Sequence, residues 1–144
     1  MNTDANASEV RALLESWSKA VVKRDVPAIL AFYADDIVSF DAIGPLRFVG
    51  KAAYGKHWAE CMEMCQGDMI FEVGDWHIET GGDIAFAHSL LHCGGTGPDG
   101  KTMTSWMRLT SCCRRTNGKW QIVHEHYSMP MDMTSGKVLT DLKP

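Results

Sequence analysis

The chain has 144 residues, of which 45% are apolar and 22% charged. This is the composition of one globular domain, taken as 1–144 with its core at about 8–132, and it excludes collagen, coiled coil and disorder. Fourteen Lys and Arg against eighteen Asp and Glu leave a net charge of −4; the basic residues are scattered, which argues against nucleic acid or an anionic membrane as partner.

The first apolar pattern is helical: Val10, Leu13, Leu14, Trp17, Ala20 and Val21 fall at i, i+3, i+4 and i+7. Asn6 followed by Glu9 has the spacing of a capping box, and the helix is expected to stop near Arg24. Asp25 then caps a second, short helix, with Pro27 in its first turn and Ile29, Leu30, Phe32 and Tyr33 as its apolar residues. A strand follows over Ile37 to Asp41, turned by Gly44-Pro45 into a pairing segment from Leu46 to Val49. Gly50 opens a third helix with an apolar stripe at Tyr54, Trp58, Cys61, Met62 and Cys65, and Gly67 ends it. The rest reads as a meander: Met69 to Glu79, Ile84 to Cys93, Thr102 to Arg115 and Trp120 to Met129. The Asn117-Gly118 turn is its strongest hairpin signal. Helices first and antiparallel strands after predict an α+β domain, a curved sheet wrapped as a cone around one apolar pocket.

No apolar run reaches the ~18 residues of a membrane-spanning helix, and the polar, acidic start has no signal-peptide core. The five cysteines are odd in number and fit no disulfide framework. They are expected as reduced thiols in a cytoplasmic protein. Cys61 and Cys65, four apart on the helical stripe, read as core. No sequence feature signals a cofactor: the Gly94–Pro98 segment lacks the Lys and following Ser/Thr of a phosphate loop. Nucleophilic catalysis has little support, since no Gly-x-Ser-x-Gly occurs.

This layout resembles the nuclear transport factor 2-like superfamily, which includes ketosteroid isomerases, scytalone dehydratase and SnoaL-like polyketide cyclases. Three stretches carry the resemblance: Trp17 to Asp36, Phe40 through Gly50, and Gly118 to Pro130. It implies a cone fold, a small-molecule pocket, and homodimers formed sheet to sheet. In the isomerases, an aspartate before the first hairpin turn is the general base, and Asp41 stands at the matching position. Their tyrosine position falls on Trp17 and their acid position on Thr110, so their oxyanion hole is not reproduced.

Residues i and i+2 of a strand share a face. With Asp41 inward, Ile37 and Ser39 are inward too. The same alignment expects Trp106, Arg108, Thr110 and Cys112, then Val123, Glu125 and Tyr127, and Ala87, Ser89 and Leu91 on the pocket face. Asp41, Arg108 and Thr110 are the candidate catalytic residues. Trp17, Trp58, Trp106, Glu125, Tyr127, Ser89 and Leu91 are the candidate substrate-binding ones. Asp41 has a plainer role open to it, a turn aspartate bonding its own backbone. Arg108 has two readings that do not exclude each other, a pair with Glu125 and a guanidinium offered to an anion. The convex face is expected to carry Phe86, His88, Leu90 and His92 with Trp120, Ile122, His124 and His126. His124 and His126 lie about 6.7 Å apart on one face. No acidic residue accompanies them, so these histidines are assigned to a dimer seam and no metal ligand is named, with a metal-dependent reaction at the cluster as a third alternative. The expected function is acid–base chemistry on a carbonyl compound with Asp41 as base, and the rival is a non-catalytic binding or association domain.

Overall fold

In the computed structural model, which describes residues 3–144, helix α1 runs from Thr3 to Val22. Val10, Leu14, Trp17 and Val21 are all fully buried, as the helical spacing requires. The helix begins a turn before the expected cap. Asn6 instead accepts a hydrogen bond from Arg115 (2.8 Å), and Glu9 one from the Trp120 indole (2.8 Å). Both residues tie α1 to the sheet rather than capping it.

Helix α2 (Val26–Ala31) is capped by Asp25, whose side chain accepts from the Ala28 amide at 3.1 Å, with proline in the first turn as expected. It stops short of Tyr33. That residue opens strand β1 (Tyr33–Phe40), where its side chain turns into the core. A two-residue strand β2 (Phe48–Val49) pairs with β1. Gly50 then precedes helix α3 (Lys51–Met64) with φ of +90°, a conformation glycine adopts without strain. Arg24 reaches across to α3's far end and donates to the carbonyls of Met62, Cys65 and Gly67. Met62 is in the last turn of α3 and the other two just follow it, so this one guanidinium ties the helix end to the chain beyond it.

The expected long strand from Met69 to Glu79 is two strands, β3 (Met69–Val73) and β4 (His77–Gly81), broken around the buried Trp76. Strands β5 (Ile84–Thr96), β6 (Thr102–Thr116) and β7 (Lys119–Ser128) complete a seven-stranded sheet of order β2-β1-β7-β6-β5-β3, with β4 also on β5. All pairs are antiparallel except β1 with β7. The curved, unclosed sheet wraps the helices, which gives the α+β cone its single core.

Two features of register decide which side chains reach the interior. Strands β5 and β6 pair Ser89 with Leu109 and Leu91 with Met107. Directly opposed residues share a face, so Leu109, Ser111 and Cys113 are inward and buried. Trp106, Arg108, Thr110 and Cys112 therefore lie on the convex side, one residue out of phase with the sequence expectation. On β7, Cys112 pairs with His124 but Cys113 with Ile122, so Val123 is a bulge. The bulge changes the alternation midway: Trp120 and Ile122 point in before it, Glu125 and Tyr127 after it. Trp120 and Ile122 thus belong to the core and not to the convex face.

Candidate functional site

Where α3 leans over the ends of β3, β5 and β6, a cavity of about 300 Å³ remains. That lies at the small end of the range for small-molecule sites. Its walls are Val21, Ile43, Trp58, Met64, Met69, Ile70, Phe71, Leu91 and Met107, with the thiols of Cys61, Cys65 and Cys93. Cys61 and Cys65 therefore face the cavity from the helical stripe rather than lying in closed core. Gly95 lets the helix end approach this closely, since a Cβ there would stand 2.6 Å from the Cys65 sulfur. Asp41, His57 and Tyr127 bring polar groups to the cavity, and Thr96 is a further polar lining residue. Among the described residues, no Lys or Arg lines the cavity.

Asp41 follows the last residue of β1 and continues the inward phase of Ile37 and Ser39, both fully buried. Its two oxygens have different tasks. Oδ1 accepts the Ile43 amide at 3.0 Å, a turn contact. Oδ2 faces the site, 3.2 Å from the Tyr54 hydroxyl and 3.4 Å from His57 Nε2. One oxygen thus makes the turn contact, and the other is left facing the site. His57 Nε2 is also 3.6 Å from the Cys61 sulfur. Burial, and then the Asp41 charge, raise the Cys61 thiol pKa above the ordinary range, and burial pushes Cys93 up to about 11. Such thiols stay protonated at neutral pH and are poor nucleophiles.

Near Asp41 lies a second carboxyl group. Glu125 is fully buried, and its Oε2 lies within hydrogen-bond reach of three phenols: Tyr54 at 3.0 Å, Tyr33 at 3.1 Å and Tyr127 at 3.2 Å. Tyr33 has no choice in this. Its oxygen accepts the indole N–H groups of Trp17 (3.0 Å) and Trp58 (3.1 Å), so its only hydrogen goes to Glu125. Desolvation raises the Glu125 pKa to about 8 against the opposing pull of the three hydroxyls, and the nearby Asp41 charge adds to the rise. Glu125 is therefore a neutral acid at pH 7. Burial and the charge of Glu125 in turn hold all three tyrosines well above their usual ionisation range.

The sequence-predicted residues divide accordingly. Asp41, Trp58, Leu91 and Tyr127 line the cavity. Glu125 and Trp17 stand behind it in the tyrosine network. Ser89 is inward and buried but bonds the Leu90 carbonyl outside the cavity lining. Arg108, Thr110 and Trp106 are corrected to the convex face, where Arg108 donates to Ser128 at 3.0 Å and Trp106 stacks on His92. No Arg108–Glu125 pair forms, because the two side chains are on opposite sides of the sheet. Tyr33, Tyr54 and His57 are the residues of this polar cluster that the sequence does not single out. In the periodicity the two tyrosines count only as apolar positions, and the signal for His57 is its place three residues from Tyr54 and four from Cys61, on the same helix face.

A family model of the SnoaL-like domain matches residues 10–132. No curated protein matches the chain. Among solved structures, an NTF2-like protein of unknown function from Pseudomonas putida KT2440 is 49% identical, with a TM-score of 0.92 over 99% of each chain. A ketosteroid isomerase-like protein from Erwinia carotovora atroseptica SCRI1043 is 24% identical with a TM-score of 0.73, over 85% of this chain and 94% of the other. A nuclear transport factor 2 (NTF2-like) superfamily protein from Salmonella enterica is 17% identical with a TM-score of 0.80, over 94% and 99%. At those two identities the likeness is one of fold.

Proposed function

The chain belongs to the SnoaL-like domain family, within the nuclear transport factor 2-like fold, and from that premise we propose that it performs acid–base chemistry on an uncharged carbonyl compound held in the cavity. One observation carries the proposal: Asp41 Oδ2 stands in the wall of an apolar cavity, beside the Tyr54 hydroxyl and His57, with no Lys or Arg among the described residues lining that cavity. A carboxylate there is placed to take a proton from a carbon next to a carbonyl. Tyr127 and His57 line the same cavity, and an imidazole N–H or a phenol released by Glu125 is the kind of donor that steadies the oxygen on which charge develops.

The reaction is testable before a substrate is known. Ring-sized neutral ketones incubated in D₂O with the full chain should exchange the hydrogens beside the carbonyl, followed by NMR. Ligand charge should matter: a neutral ketone should bind at least ~10² times more tightly than a carboxylate of the same skeleton, since an unpaired anion in a dry site costs several kcal/mol. Binding of neutral ketones without exchange would favour a non-catalytic binding domain. Tighter binding of the carboxylate would count against this assignment of the cavity.

A second reading concerns assembly. On the convex face, Phe86 and Leu90 are 48% and 43% exposed, and they flank His88, itself stacked on His77. We propose that this face joins two copies of the chain, because an apolar row of this kind suits a partner better than water. Sedimentation should give about twice the 16.0 kDa chain mass. Phe86→Glu with Leu90→Glu should return it to one chain without loss of helical signal. A wild-type chain that sediments as a monomer at micromolar concentration would rule this interface out. The five free thiols suit a reducing, cytoplasmic setting.

A further inference from the structure

Tyr54 stands between two carboxyl groups, its oxygen 3.2 Å from Asp41 Oδ2 and 3.0 Å from Glu125 Oε2. A phenol carries one hydrogen and donates to one acceptor at a time. Tyr33 is committed to Glu125 by its two indole donors, and Tyr127 contacts Glu125 from the same strand. Tyr54 alone has two acidic acceptors. We infer that Tyr54 is a positioning residue whose hydroxyl is handed between Asp41 and Glu125 according to the protonation of Glu125, so that Glu125 controls how Asp41 is held.

The direction follows from charge. A hydrogen bond to an ionised acceptor is roughly twice as strong as one to a neutral acceptor. While Glu125 is neutral, Asp41 is the better acceptor and the Tyr54 hydroxyl turns to it. When Glu125 gives its proton to solvent, a fully buried anion competes for the same hydroxyl at the shorter distance. Asp41 then loses a donor and keeps His57 and the Ile43 amide. Only the Glu125 O–H bond breaks in this step; the Tyr54 hydroxyl rotates about its own C–O bond. The groups facing Glu125 are known from every side. Tyr33 comes from β1, Tyr54 from α3, Tyr127 from β7, Asp41 from beyond β1, and Cys113 from β6, whose thiol is raised to about 12 and stays neutral. Ser39 and Ser111 are its partners in register on the two adjacent strands, both buried. No cation is among them to hold the hydroxyl's place. The functional meaning of the switch rests on the assignment of Asp41 as base, but its existence does not.

The test is carbon NMR on the full chain, labelled with ¹³C at the Asp and Glu carboxyl carbons and at Tyr Cζ, titrated from about pH 6 to about pH 10. The Glu125 carboxyl should titrate near 8, and Tyr54 Cζ and the Asp41 carboxyl should move with the same midpoint. Tyr54 ionises far above that pH, so this inflection is not its own. In Glu125→Gln both movements should vanish. In Tyr54→Phe the Glu125 carboxyl should still titrate well above the ordinary range, while the Asp41 movement loses most of its amplitude. A flat Tyr54 signal through the Glu125 titration in the wild type overturns the inference. So does an Asp41 movement undiminished in Tyr54→Phe, which would mean the two charges act directly. The wild-type Tyr54 signal decides the matter even where a variant fails to fold. In a turnover assay, the alkaline limb near 8 should disappear in Glu125→Gln, which a purely structural Glu125 would leave in place. If Asp41→Asn leaves turnover unchanged, the assignment of the base fails while the NMR result stands by itself.

Discussion

Asp41→Asn should keep the fold and lower ketone hydrogen exchange by about 10²–10⁴-fold, the usual worth of a positioned general base, or roughly 3–5.5 kcal/mol of barrier. The two oxygens of Asp41 are the reason for expecting loss of chemistry without loss of structure. An asparagine oxygen at the Oδ1 position still accepts the Ile43 amide, so the turn after β1 survives. The nitrogen replaces Oδ2, where it donates to Tyr54 or His57 but accepts no proton at neutral pH. Affinity for a neutral ketone should change little, because the apolar walls are untouched. Turnover equal to the wild type would remove Asp41 as the base and leave the non-catalytic binding domain as the better description. A variant that binds no ligand and melts much earlier would show that the Oδ2 contacts to Tyr54 and His57 hold the fold rather than the chemistry.

The order of elements was legible because each rests on a local signal. The buried stripe of α1, the Asp25 cap, Gly50 before α3 and the Asn117-Gly118 turn all fall where the sequence places them. The position of Asp41 was legible for the same reason. Its phase with Ile37 and Ser39 is set within one short strand. The faces of β6 were not, since Thr102 to Thr116 mixes apolar and polar residues on both sides and its own alternation does not choose between them. The choice is made by β5, where Ala85, Ala87, Ser89 and Leu91 are inward. Thr96 opposes Thr102 across the Gly97–Lys101 tip, and that register fixes Met107, Leu109 and Ser111 as their inward partners. Reading the hairpin outward from its tip would have placed Arg108 on the convex face. The Val123 bulge left a fainter trace. Trp120 and Ile122 are apolar in one phase and Tyr127 is aromatic in the other, which no unbroken strand buries on one side. The tyrosine network was hidden by chemistry rather than geometry. Tyrosine counts as apolar in a periodicity pattern, yet three hydroxyls and two indoles are what make a buried Glu125 tolerable.

Glu125 should also make the fold weaken as pH rises, the reverse of the usual behaviour of a paired carboxylate. Its native pKa, raised from 4.5 to about 8, means that the native state holds a proton that the unfolded chain has released throughout that interval. Stability falls with pH wherever the native state binds more protons. The contribution of this group is therefore whole below about pH 4.5, declines through the window, and is spent above about pH 8. At about 1.4 kcal/mol per pH unit the full change is on the order of 5 kcal/mol. That is a large share of the stability of a domain this size. Other groups titrate over the same range, so the measurement is a comparison. Urea unfolding of the wild type and Glu125→Gln at about pH 5 and about pH 9 should show the wild type losing several kcal/mol more than the variant. The glutamine chain should be the more stable of the two at the alkaline end. Parallel pH dependences would show that Glu125 ionises in the native state as it does in the unfolded chain. The opposing terms give a further check on cause. Each tyrosine hydroxyl favours the ionised form, so Tyr127→Phe should push the Glu125 midpoint higher still. Tyr127 is the cleaner choice, because removing the Tyr33 hydroxyl would leave the buried indoles of Trp17 and Trp58 without an acceptor and mix a packing cost into the titration.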